Sequence, residues 1–380
     1  MGKILVTAGE VSGDLHAARV VYYIKKMVPG TEIAGMGSKK LRQAGADILI
    51  DPTEINSIGF QEAASNFRTH LDHYKFLKKY VKKEKPDVMF LVDYSGFNMM
   101  MARLGKKENI PVVNYFAPTA WIWGRWRARW MARMGATIAA VFPMEIDVYR
   151  RAGAEVKFVG HPLLDIVQPS SEKKGLYEYL EVNPDHNLVA LLPGSRTAEV
   201  DKLLDPMLKA AVRLKKDNDN LEFIIPLADN IAREPIVRQV SEYNLIAKVV
   251  KNRTREAVQI SDFIVTASGT ATLEAAILNT PMLIIYKTSA LTYTLGKRLL
   301  KQKMIGLPNL ISSQEIVPEL VQKDVTPENI FRKTNYYLRQ PYLLQEMKRN
   351  LKQVASMLGK EGAIARTANL VIKKGALSSD

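Results

Sequence analysis

Two short segments of this sequence place small residues and hydrogen-bonding side chains directly after an apolar run. The segments are Gly194-Ser195-Arg196 and Ser268-Gly269-Thr270. Small residues let backbone N–H groups approach a ligand closely, and a helix that follows points the positive end of its dipole at a bound anion. The arginine suits paired hydrogen bonds to a diphosphate. Both segments therefore predict a phosphate site, although each alone is equally typical of a capped helix after a buried strand.

Glu274 strengthens this hypothesis, because it follows the second segment by about one helical turn. A carboxylate at that position can accept hydrogen bonds from both hydroxyls of a ribose. In an open parallel sheet, ligands collect beyond the carboxyl ends of the strands, so both segments can face one crevice. The second half of the chain therefore predicts a nucleotide-diphosphate site. The simpler alternative is an acidic residue that favours the first turn of a helix.

The first half of the chain carries polar side chains at comparable positions. Asp93 ends the apolar run 88–92, which is where catalytic carboxylates of open α/β sheets lie. Glu10, Ser12 and Asp14 follow the first apolar run, in a turn that lacks the third glycine of a dinucleotide fingerprint. These side chains are predicted to hold sugar hydroxyls, and helix capping is the equally simple alternative.

All the tryptophans fall within ten residues and alternate with arginines. The cluster consists of Trp121, Trp123, Trp126 and Trp130 with Arg125, Arg127, Arg129 and Arg133. Such a mixture suits a lipid headgroup surface or stacked single-stranded nucleic acid, whereas any single ring can simply pack the domain. As a cluster, these residues favour an amphipathic ligand or surface.

Composition limits the choice of partner and compartment. The 380 residues include 54 Lys and Arg against 39 Asp and Glu, so the net charge of +15 predicts an anionic partner. The chain has no cysteine, which excludes disulfides, thiolate metal sites and a cysteine nucleophile and fits a reducing cytoplasm. We find no signal peptide and no apolar run long enough to span a bilayer. A soluble or peripheral protein is expected.

Strand-like runs alternate with helix-like stretches, which predicts a parallel α/β architecture. The runs are 3–8, 32–36, 87–92, 111–116, 137–142 and 156–159, then 187–192, 221–226, 262–267 and 281–286. Similar strand-turn-helix sites open both halves, so two doubly wound domains are preferred over one eight-stranded barrel. We predict domains at 1–165 and 187–344, a linker at 166–186 that is rich in Pro, Ser, Lys and Glu, and only helices after about residue 326.

In their order and spacing, these motifs resemble the lipid-A-disaccharide synthases, bacterial glycosyltransferases of the GT-B fold, over essentially the whole chain. The matching segments are AGEVSGD (8–14), IGFQEA (58–63), Asp-x-x-x-Phe-Asn (93–98), APTAWIW (117–123), VGHPLLD (159–165), LLPGSRTAEV (191–200), ASGTATLEAA (267–276), LIIYKT (283–288), GLPNLI (306–311) and VPELVQ (317–322). Ser95 and Ala117 depart from the proline and serine common in the family. These departures affect the acceptor site and leave Asp93 and the nucleotide turns in place.

The resemblance implies inverting transfer of a diacylglucosamine unit from UDP-2,3-diacylglucosamine to 2,3-diacylglucosamine 1-phosphate, with release of UDP. It implies that the first domain binds the acceptor and the second the UDP-sugar, without a metal or other cofactor. Helices in 345–380 are expected to cross back to the first domain and to be exchanged in a homodimer. A cytoplasmic enzyme bound peripherally to the anionic inner membrane is expected, with no nucleic-acid partner. The tryptophan cluster and the apolar, basic segment 58–83 are the candidate membrane surfaces.

The resemblance also assigns residues. Those expected to bind the nucleotide-sugar are Gly194, Ser195, Arg196, Ser268, Gly269, Thr270, Glu274, Tyr286 and Asn309. Those expected to bind the acceptor are Glu10, Ser12, Asp14, Asn98, Trp121 and Trp123. Asp93 is the predicted general base for the acceptor hydroxyl, and His161 is its rival because imidazole titrates near neutral pH. We prefer Asp93, since His161 begins the proline-containing linker.

Two other classes stay open on the residues alone. A UDP-N-acetylglucosamine 2-epimerase would share the two domains and the nucleotide turns but would not need the tryptophan cluster. A non-enzymatic nucleic-acid binder would use the positive charge and the aromatic rings. Such a protein would not need the two phosphate turns or Glu274.

Overall fold

The computed structural model describes residues 2–52, 62–121, 124–288 and 304–377. The chain divides into two compact units, one formed by Met1–Asp165 with Leu358–Asp380 and the other by Ile166–Met357. Each unit has its own parallel sheet with helices packed on it. The predicted fold class, two doubly wound α/β units, is confirmed.

In chain order, the strands of the described residues are as follows. The first unit contains β1 (Lys3–Ala8), β2 (Glu32–Met36), β3 (Asp47–Ile50), β4 (Val88–Val92), β5 (Val112–Tyr115), β6 (Thr137–Ala140) and β7 (Val156–Phe158). The second contains β8 (Asn187–Leu192), β9 (Leu221–Leu227), β10 (Ala247–Lys251), β11 (Phe263–Ala267), β12 (Met282–Tyr286) and β13 (Glu319–Val321). The spatial orders are β3-β2-β1-β4-β5-β6-β7 and β10-β9-β8-β11-β12-β13.

The helices lie between these strands and after the last of them. Those before β8 are α1 (Val11–Met27), α2 (Lys39–Gln43), α3 (Glu62–Glu84), α4 (Ser95–Glu108), α5 (Trp126–Arg133), α6 (Pro143–Arg151), α7 (Leu163–Ile166) and α8 (Lys173–Leu180). Those after it are α9 (Thr197–Asp217), α10 (Arg233–Glu242), α11 (Thr254–Ile260), α12 (Thr270–Ile277), α13 (Leu307–Ser312), α14 (Pro327–Leu338), α15 (Pro341–Met357) and α16 (Ala363–Lys374). Within the described residues, no helix is both long and apolar enough to cross a bilayer.

The order of each sheet reverses at its centre. In the first sheet β1 pairs with β2 on one side and β4 on the other, and in the second β8 pairs with β9 and β11. These central strands are apolar because helices cover both faces of a parallel sheet, and β4 and β11 are buried throughout. A crevice opens at such a reversal, beyond the carboxyl ends of the two central strands. The fold therefore places one crevice in each unit.

The segment predicted to be a linker, 166–186, is folded into the second unit instead. It contains α8, which packs on α11, and the Tyr177 hydroxyl donates to the backbone oxygen of Ile260 at 3.1 Å. The Gln259 side chain also pairs with both backbone polar groups of Ser170, at 2.9 and 2.7 Å. The composition of the segment did not reveal these long-range contacts.

The C-terminal helix α16 completes the first unit by packing along α1. The Asp165 carboxylate accepts hydrogen bonds from Gly362 N at 2.5 Å and Ile364 N at 2.8 Å, at the start of this helix. The boundary predicted at residue 345 lies inside α15, which belongs to the second unit. Its buried side chains, among them Met347 and Leu351, face α12 and α13.

Candidate active site

A cavity of about 350 Å³ opens at the reversal of the second sheet. The two predicted turns enter it side by side, because β8 and β11 are paired neighbours and α9 and α12 start directly after them. Its lining includes Gly194, Ser195, Arg196, Ser268, Gly269, Thr270 and Glu274. The turns lie 73 residues apart in the chain at Ser195 and Ser268, and the sheet brings them together.

Gly194 has a backbone that other residues rarely adopt, with φ of +124°. A Cβ at this position would lie 2.5 Å from the Glu199 carboxylate. That carboxylate accepts a hydrogen bond from Ser195 N at 3.2 Å and lies 3.4 Å from the Arg196 guanidinium. Gly194 is therefore required for the shape of the turn. The Arg196 side chain is 78% exposed beside it, where a guanidinium can reach an anion.

The second turn is more open. Helix α12 begins at Thr270 with Gly269 as its N-cap, and no side chain caps it. No atom lies within 4 Å of the position that a Cβ on Gly269 would take. The first N–H groups of a helix have no partners within the helix and carry partial positive charge. This turn can therefore hold a phosphate group against backbone donors.

Glu274 lines the same cavity and also makes an ion pair that the sequence did not reveal. Its Oε1 atom accepts hydrogen bonds from Arg255 Nε at 3.2 Å and Nη2 at 3.0 Å. Arg255 also donates to the backbone oxygen of Ile166 at 3.3 Å. An adjoining cavity of about 540 Å³ shares Glu274 and Thr254 with the first, and its other polar lining includes Gln168. The two cavities together offer room for a nucleoside beside its phosphates.

Two predicted nucleotide residues do not line this cavity. Tyr286 ends β12, next to β11. Asn309 is fully buried, where its amide nitrogen donates to Val317 O at 2.8 Å and to Glu319 Oε1 at 2.6 Å. Its amide oxygen accepts from the backbone N–H groups of Ile316 and Val317. The side chain of Asn309 therefore holds the loop after α13. Its role in binding the nucleotide stays a prediction.

Asp93 lies at the reversal of the first sheet, directly after β4. Its backbone is left-handed, with φ of +38°, and its N–H donates to Tyr115 O at 3.2 Å. One carboxylate oxygen accepts a hydrogen bond from the Ser12 hydroxyl at 2.9 Å. Burial raises the pKa of Asp93, and the Ser12 hydrogen bond partly opposes this by stabilising the charged form. A carboxylate with a raised pKa is a stronger base, as general-base catalysis requires.

The glycines of the first turn allow close packing around this carboxylate. A Cβ on Gly9 would lie 2.2 Å from the Tyr94 ring, and one on Gly13 would lie 3.3 Å from Asp93 Cβ. The Tyr94 hydroxyl lies 2.5 Å from His70 Nε2. Sequence reasoning missed Tyr94 and His70, since neither stands in a pattern that indicates their contact.

Two predicted acceptor residues are occupied by the fold. The Asp14 carboxylate accepts hydrogen bonds from the backbone N–H groups of Ser38, Lys40 and Leu41, at 2.6, 2.9 and 3.3 Å. It therefore caps α2 and is 3% exposed. The Asn98 amide is 1% exposed and lies 2.8 Å from the Thr7 hydroxyl. Both side chains make contacts that stabilise the first unit, and their role in binding a sugar stays a prediction.

His161 is buried in a cluster of aromatic rings. Its ring contacts Phe116 at 5.8 Å and Phe142 at 5.0 Å between centroids, and Phe116 in turn stacks on His16 at 4.4 Å. Burial, with a smaller effect of His16, lowers the pKa of His161 to about 3. His161 Nδ1 accepts a hydrogen bond from Leu163 N at 3.2 Å. The low pKa makes His161 a weak base, and its accepting nitrogen is used within the protein. Both features are unfavourable for a general base.

The remaining acceptor residues differ in exposure. Glu10 is the exposed N-cap residue of α1. Trp121 is half-buried against Phe142, with 5.9 Å between ring centroids, and Trp123 lies outside the described residues. Trp126 of the cluster is 57% exposed, whereas the Trp130 indole N–H lies 3.4 Å from Met99 O. The cluster is thus divided between packing and surface. No group of three or more His, Asp or Glu in the described residues is arranged to hold a metal ion.

Two doubly wound units, each with a crevice at the reversal of its parallel sheet, are the architecture of GT-B glycosyltransferases and epimerases. The profile of the lipid-A-disaccharide synthetase family matches residues 4–371, and this chain belongs to that family. The lipid-A-disaccharide synthase of Syntrophus aciditrophicus is 38% identical over 370 residues, 97% of each chain. That of Geobacter sulfurreducens is 34% identical over 371 residues, 98% of this chain and 97% of the other. The predicted family and glycosyltransferase activity are confirmed.

Solved structures with the same fold include epimerases. The UDP-GlcNAc 2-epimerase of Neisseria meningitidis, bound to UDP-GlcNAc, has a TM-score of 0.64 and 14% identity over 98% of this chain and 100% of that one. MnaA of S. aureus with UDP has a TM-score of 0.65 and 14% identity, over 100% of this chain and 98% of that one. At such identity the likeness shows the fold alone. The family decides among the classes that the residues left open, and it favours the glycosyltransferase.

Proposed function

We propose that this enzyme condenses UDP-2,3-diacylglucosamine with 2,3-diacylglucosamine 1-phosphate to form the lipid A disaccharide 1-phosphate and UDP. The observation that carries the proposal is the pairing of the Gly194 and Gly269 turns at the reversal of the second sheet, with a basic carboxylate at the reversal of the first. One site suits a departing diphosphate and the other suits an attacking hydroxyl. The function needs both.

The donor is assigned to the second unit. The phosphates of UDP would bind at the starts of α9 and α12 with Arg196, the ribose at Glu274, and the base in the adjoining polar cavity. Backbone donors and a guanidinium stabilise the charge that develops on the leaving diphosphate. This arrangement requires no metal to assist departure.

Calorimetry with UDP tests this assignment through Glu274. Glu274→Ala should weaken UDP binding by roughly 1–3 kcal/mol, the scale for a lost charge-assisted hydrogen bond. Glu274→Gln should weaken it less, because the amide can still accept from a ribose hydroxyl. Glu234→Ala, in the exposed first turn of α10, is the matched control. Equal UDP affinity in all these proteins would refute the ribose assignment.

The acceptor is assigned to the first unit, with Asp93 as general base. As the acceptor hydroxyl oxygen bonds to the anomeric carbon of the donor, its proton passes to the Asp93 carboxylate and the bond from that carbon to the diphosphate oxygen breaks. A single displacement of this kind inverts the anomeric centre. Ser12 holds the carboxylate in place through its 2.9 Å hydrogen bond.

Incubation with both lipid substrates, followed by mass spectrometry, tests the reaction itself. The expected products are the disaccharide 1-phosphate and one UDP for each disaccharide. Formation of an epimerised sugar nucleotide without disaccharide would overturn the proposal in favour of the epimerase.

We also propose that the enzyme binds the anionic inner membrane, which its lipid substrates and its exposed apolar and basic side chains support. Trp126 is 57% exposed and is followed by Arg127 and Arg129, and Phe76 on α3 is 49% exposed among lysines. Only residues from 62 onward of the predicted surface 58–83 are described. Vesicles that contain phosphatidylglycerol should bring the enzyme down on centrifugation, and salt should release it. Equal binding to neutral vesicles would refute the electrostatic contribution.

A homodimer that exchanges C-terminal helices is the expected assembly. The contacts that hold α16 on the first unit, including Arg366 Nε to Val159 O at 2.8 Å, would form equally well with the helix of a second copy. Deletion of 358–380 should abolish folding or dimerisation. A folded, active and monomeric truncation in sedimentation velocity would exclude the exchange.

A further inference from the structure

The outer face of α1 in the first unit is apolar and exposed. Along it, Val11 is 75% exposed, Leu15 37% and Tyr22 59%. A groove of about 410 Å³ runs along this face, with Leu15, Ala18 and Tyr22 on α1, Ala44 after α2, and Ile364 on α16 among its lining residues. Large apolar side chains on a surface groove indicate a ligand with an apolar part.

The charged residues of the groove are mostly basic. Arg19 and Lys40 line it together with a single acid, Asp165. Both carboxylate oxygens of Asp165 accept backbone hydrogen bonds at the start of α16, from Gly362 and Ile364. The groove therefore combines an apolar wall with cationic side chains, which complements an apolar chain attached to an anion.

The face of α1 that lines the groove continues, one turn before Leu15, to Ser12 beside the proposed base. Ser12 donates a hydrogen bond to Asp93. One face of α1 presents, at intervals of three or four residues, Ser12, Leu15, Arg19 and Tyr22. From Ser12 to Tyr22 the helix rises about 15 Å at 1.5 Å per residue. The hydrocarbon core of a bilayer is roughly 30 Å thick, so one leaflet is about 15 Å deep. The rise of the helix therefore matches about the length of one fatty acyl chain.

We propose that this groove, the α1 groove, binds one acyl chain of the acceptor, with Arg19 and Lys40 on its phosphate. The proposal rests on the proposed function, because it takes the acceptor to be an acylated sugar phosphate whose hydroxyl reaches Asp93. A groove that matches the length of the acyl chain would place the sugar of the acceptor near Ser12. The groove would then select the acceptor by its acyl group.

Two variants address the two parts of the ligand. Ala44→Phe fills the groove at a half-buried position whose helical backbone accepts any L residue. Lys40→Glu reverses one charge on an exposed side chain. Met27→Ala, 40% exposed on α1 and outside the groove, is the matched control. Thermal unfolding of each variant establishes that the fold is retained.

Kinetics with altered acceptors separate the chain from the phosphate. Ala44→Phe should raise the KM for the long-chain acceptor about tenfold or more and leave the KM for an acetylated analogue unchanged. Lys40→Glu should raise the KM for the phosphorylated acceptor up to about fivefold and leave that for the dephosphorylated analogue unchanged. The KM for the UDP-sugar should not change. An equal effect on long and short chains would overturn the proposal.

Binding of dodecyl phosphate below its micelle concentration, measured by calorimetry, provides a test without turnover. Wild type should bind it, and Ala44→Phe should bind it at least about tenfold more weakly. If disaccharide forms but Ala44→Phe changes neither this binding nor the KM, the groove is refuted and the proposed function stands. If dodecyl phosphate binds as expected but no disaccharide forms, the proposed function fails instead. A dimer that Ala44→Phe converts to monomers would identify the groove as an interface between copies and overturn the proposal.

Discussion

The two crevices occupy equivalent places in similar sheets but are built from different groups. At β8 and β11, glycine turns and helix starts form the cavity, and all seven predicted residues that follow these strands line it. At β1 and β4, the predicted site is made of side chains, and Asp14 and Asn98 are already occupied by contacts within the fold. A switch point predicts where a ligand binds. Which polar side chains remain available for the ligand depends on their partners in the folded chain.

The largest expected effect concerns the proposed base in the first crevice. Asp93→Asn keeps the shape, and asparagine tolerates the left-handed backbone at this position. Loss of the base should lower kcat by roughly 10²–10⁴-fold and leave UDP affinity in calorimetry nearly unchanged. The comparison variant is His161→Ala, which removes a buried ring. Near-normal turnover of Asp93→Asn together with loss in His161→Ala would reverse the two roles.

The second crevice can be tested by two glycine substitutions at positions that differ in backbone conformation and in surroundings. Gly194→Ala should lower the free energy of unfolding by about 1–3 kcal/mol, because its φ is +124° and its Cβ would meet the Glu199 carboxylate. Gly269→Ala should not change stability, because its backbone is extended and its Cβ meets no atom within 4 Å. If a phosphate occupies that open space, Gly269→Ala should weaken the binding of UDP. Unchanged UDP binding in this variant would place the phosphate elsewhere.

A smaller effect is expected where the first crevice contains a structural carboxylate. Asp14→Ala removes the acceptor for three backbone N–H groups at the start of α2. It should lower the free energy of unfolding by about 1–2 kcal/mol, as for a lost helix cap. Chemical denaturation measures this loss, and the KM for the acceptor should stay the same. A raised KM with normal stability would restore the sugar-binding role.

The smallest effect is a shift in pH dependence. Burial raises the pKa of Asp93, and the Ser12 hydrogen bond lowers it. Catalysis needs the carboxylate, so activity is lost as pH falls through this pKa. Ser12→Ala removes the stabilising hydrogen bond, so the acidic limb of the kcat profile should move to higher pH while the plateau changes less than about tenfold. An unmoved acidic limb would mean that Asp93 is not the titrating base.

Local features of the sequence were sufficient to predict the central strands and both glycine turns. A strand buried on both faces needs a continuous apolar run, as β4 and β11 have, and a turn around a phosphate needs small residues next to a helix start. The strands that the pattern missed, β3, β10 and β13, all lie at sheet edges. Their residues are mostly half-buried or exposed, so they have no continuous apolar run.

Contacts between distant segments decided the rest. Asp14 and Asn309 look like ligand-binding residues in the chain, but backbone groups that the fold brings to them use their hydrogen-bonding capacity. The Glu274 and Arg255 pair and the edge-to-face contact of His161 with Phe116 depend in the same way on tertiary packing. The sequence by itself determined where polar and small residues follow buried strands, because that pattern is local. Only the tertiary structure decided which of them were occupied, because a buried polar group must find its partner wherever the fold supplies one.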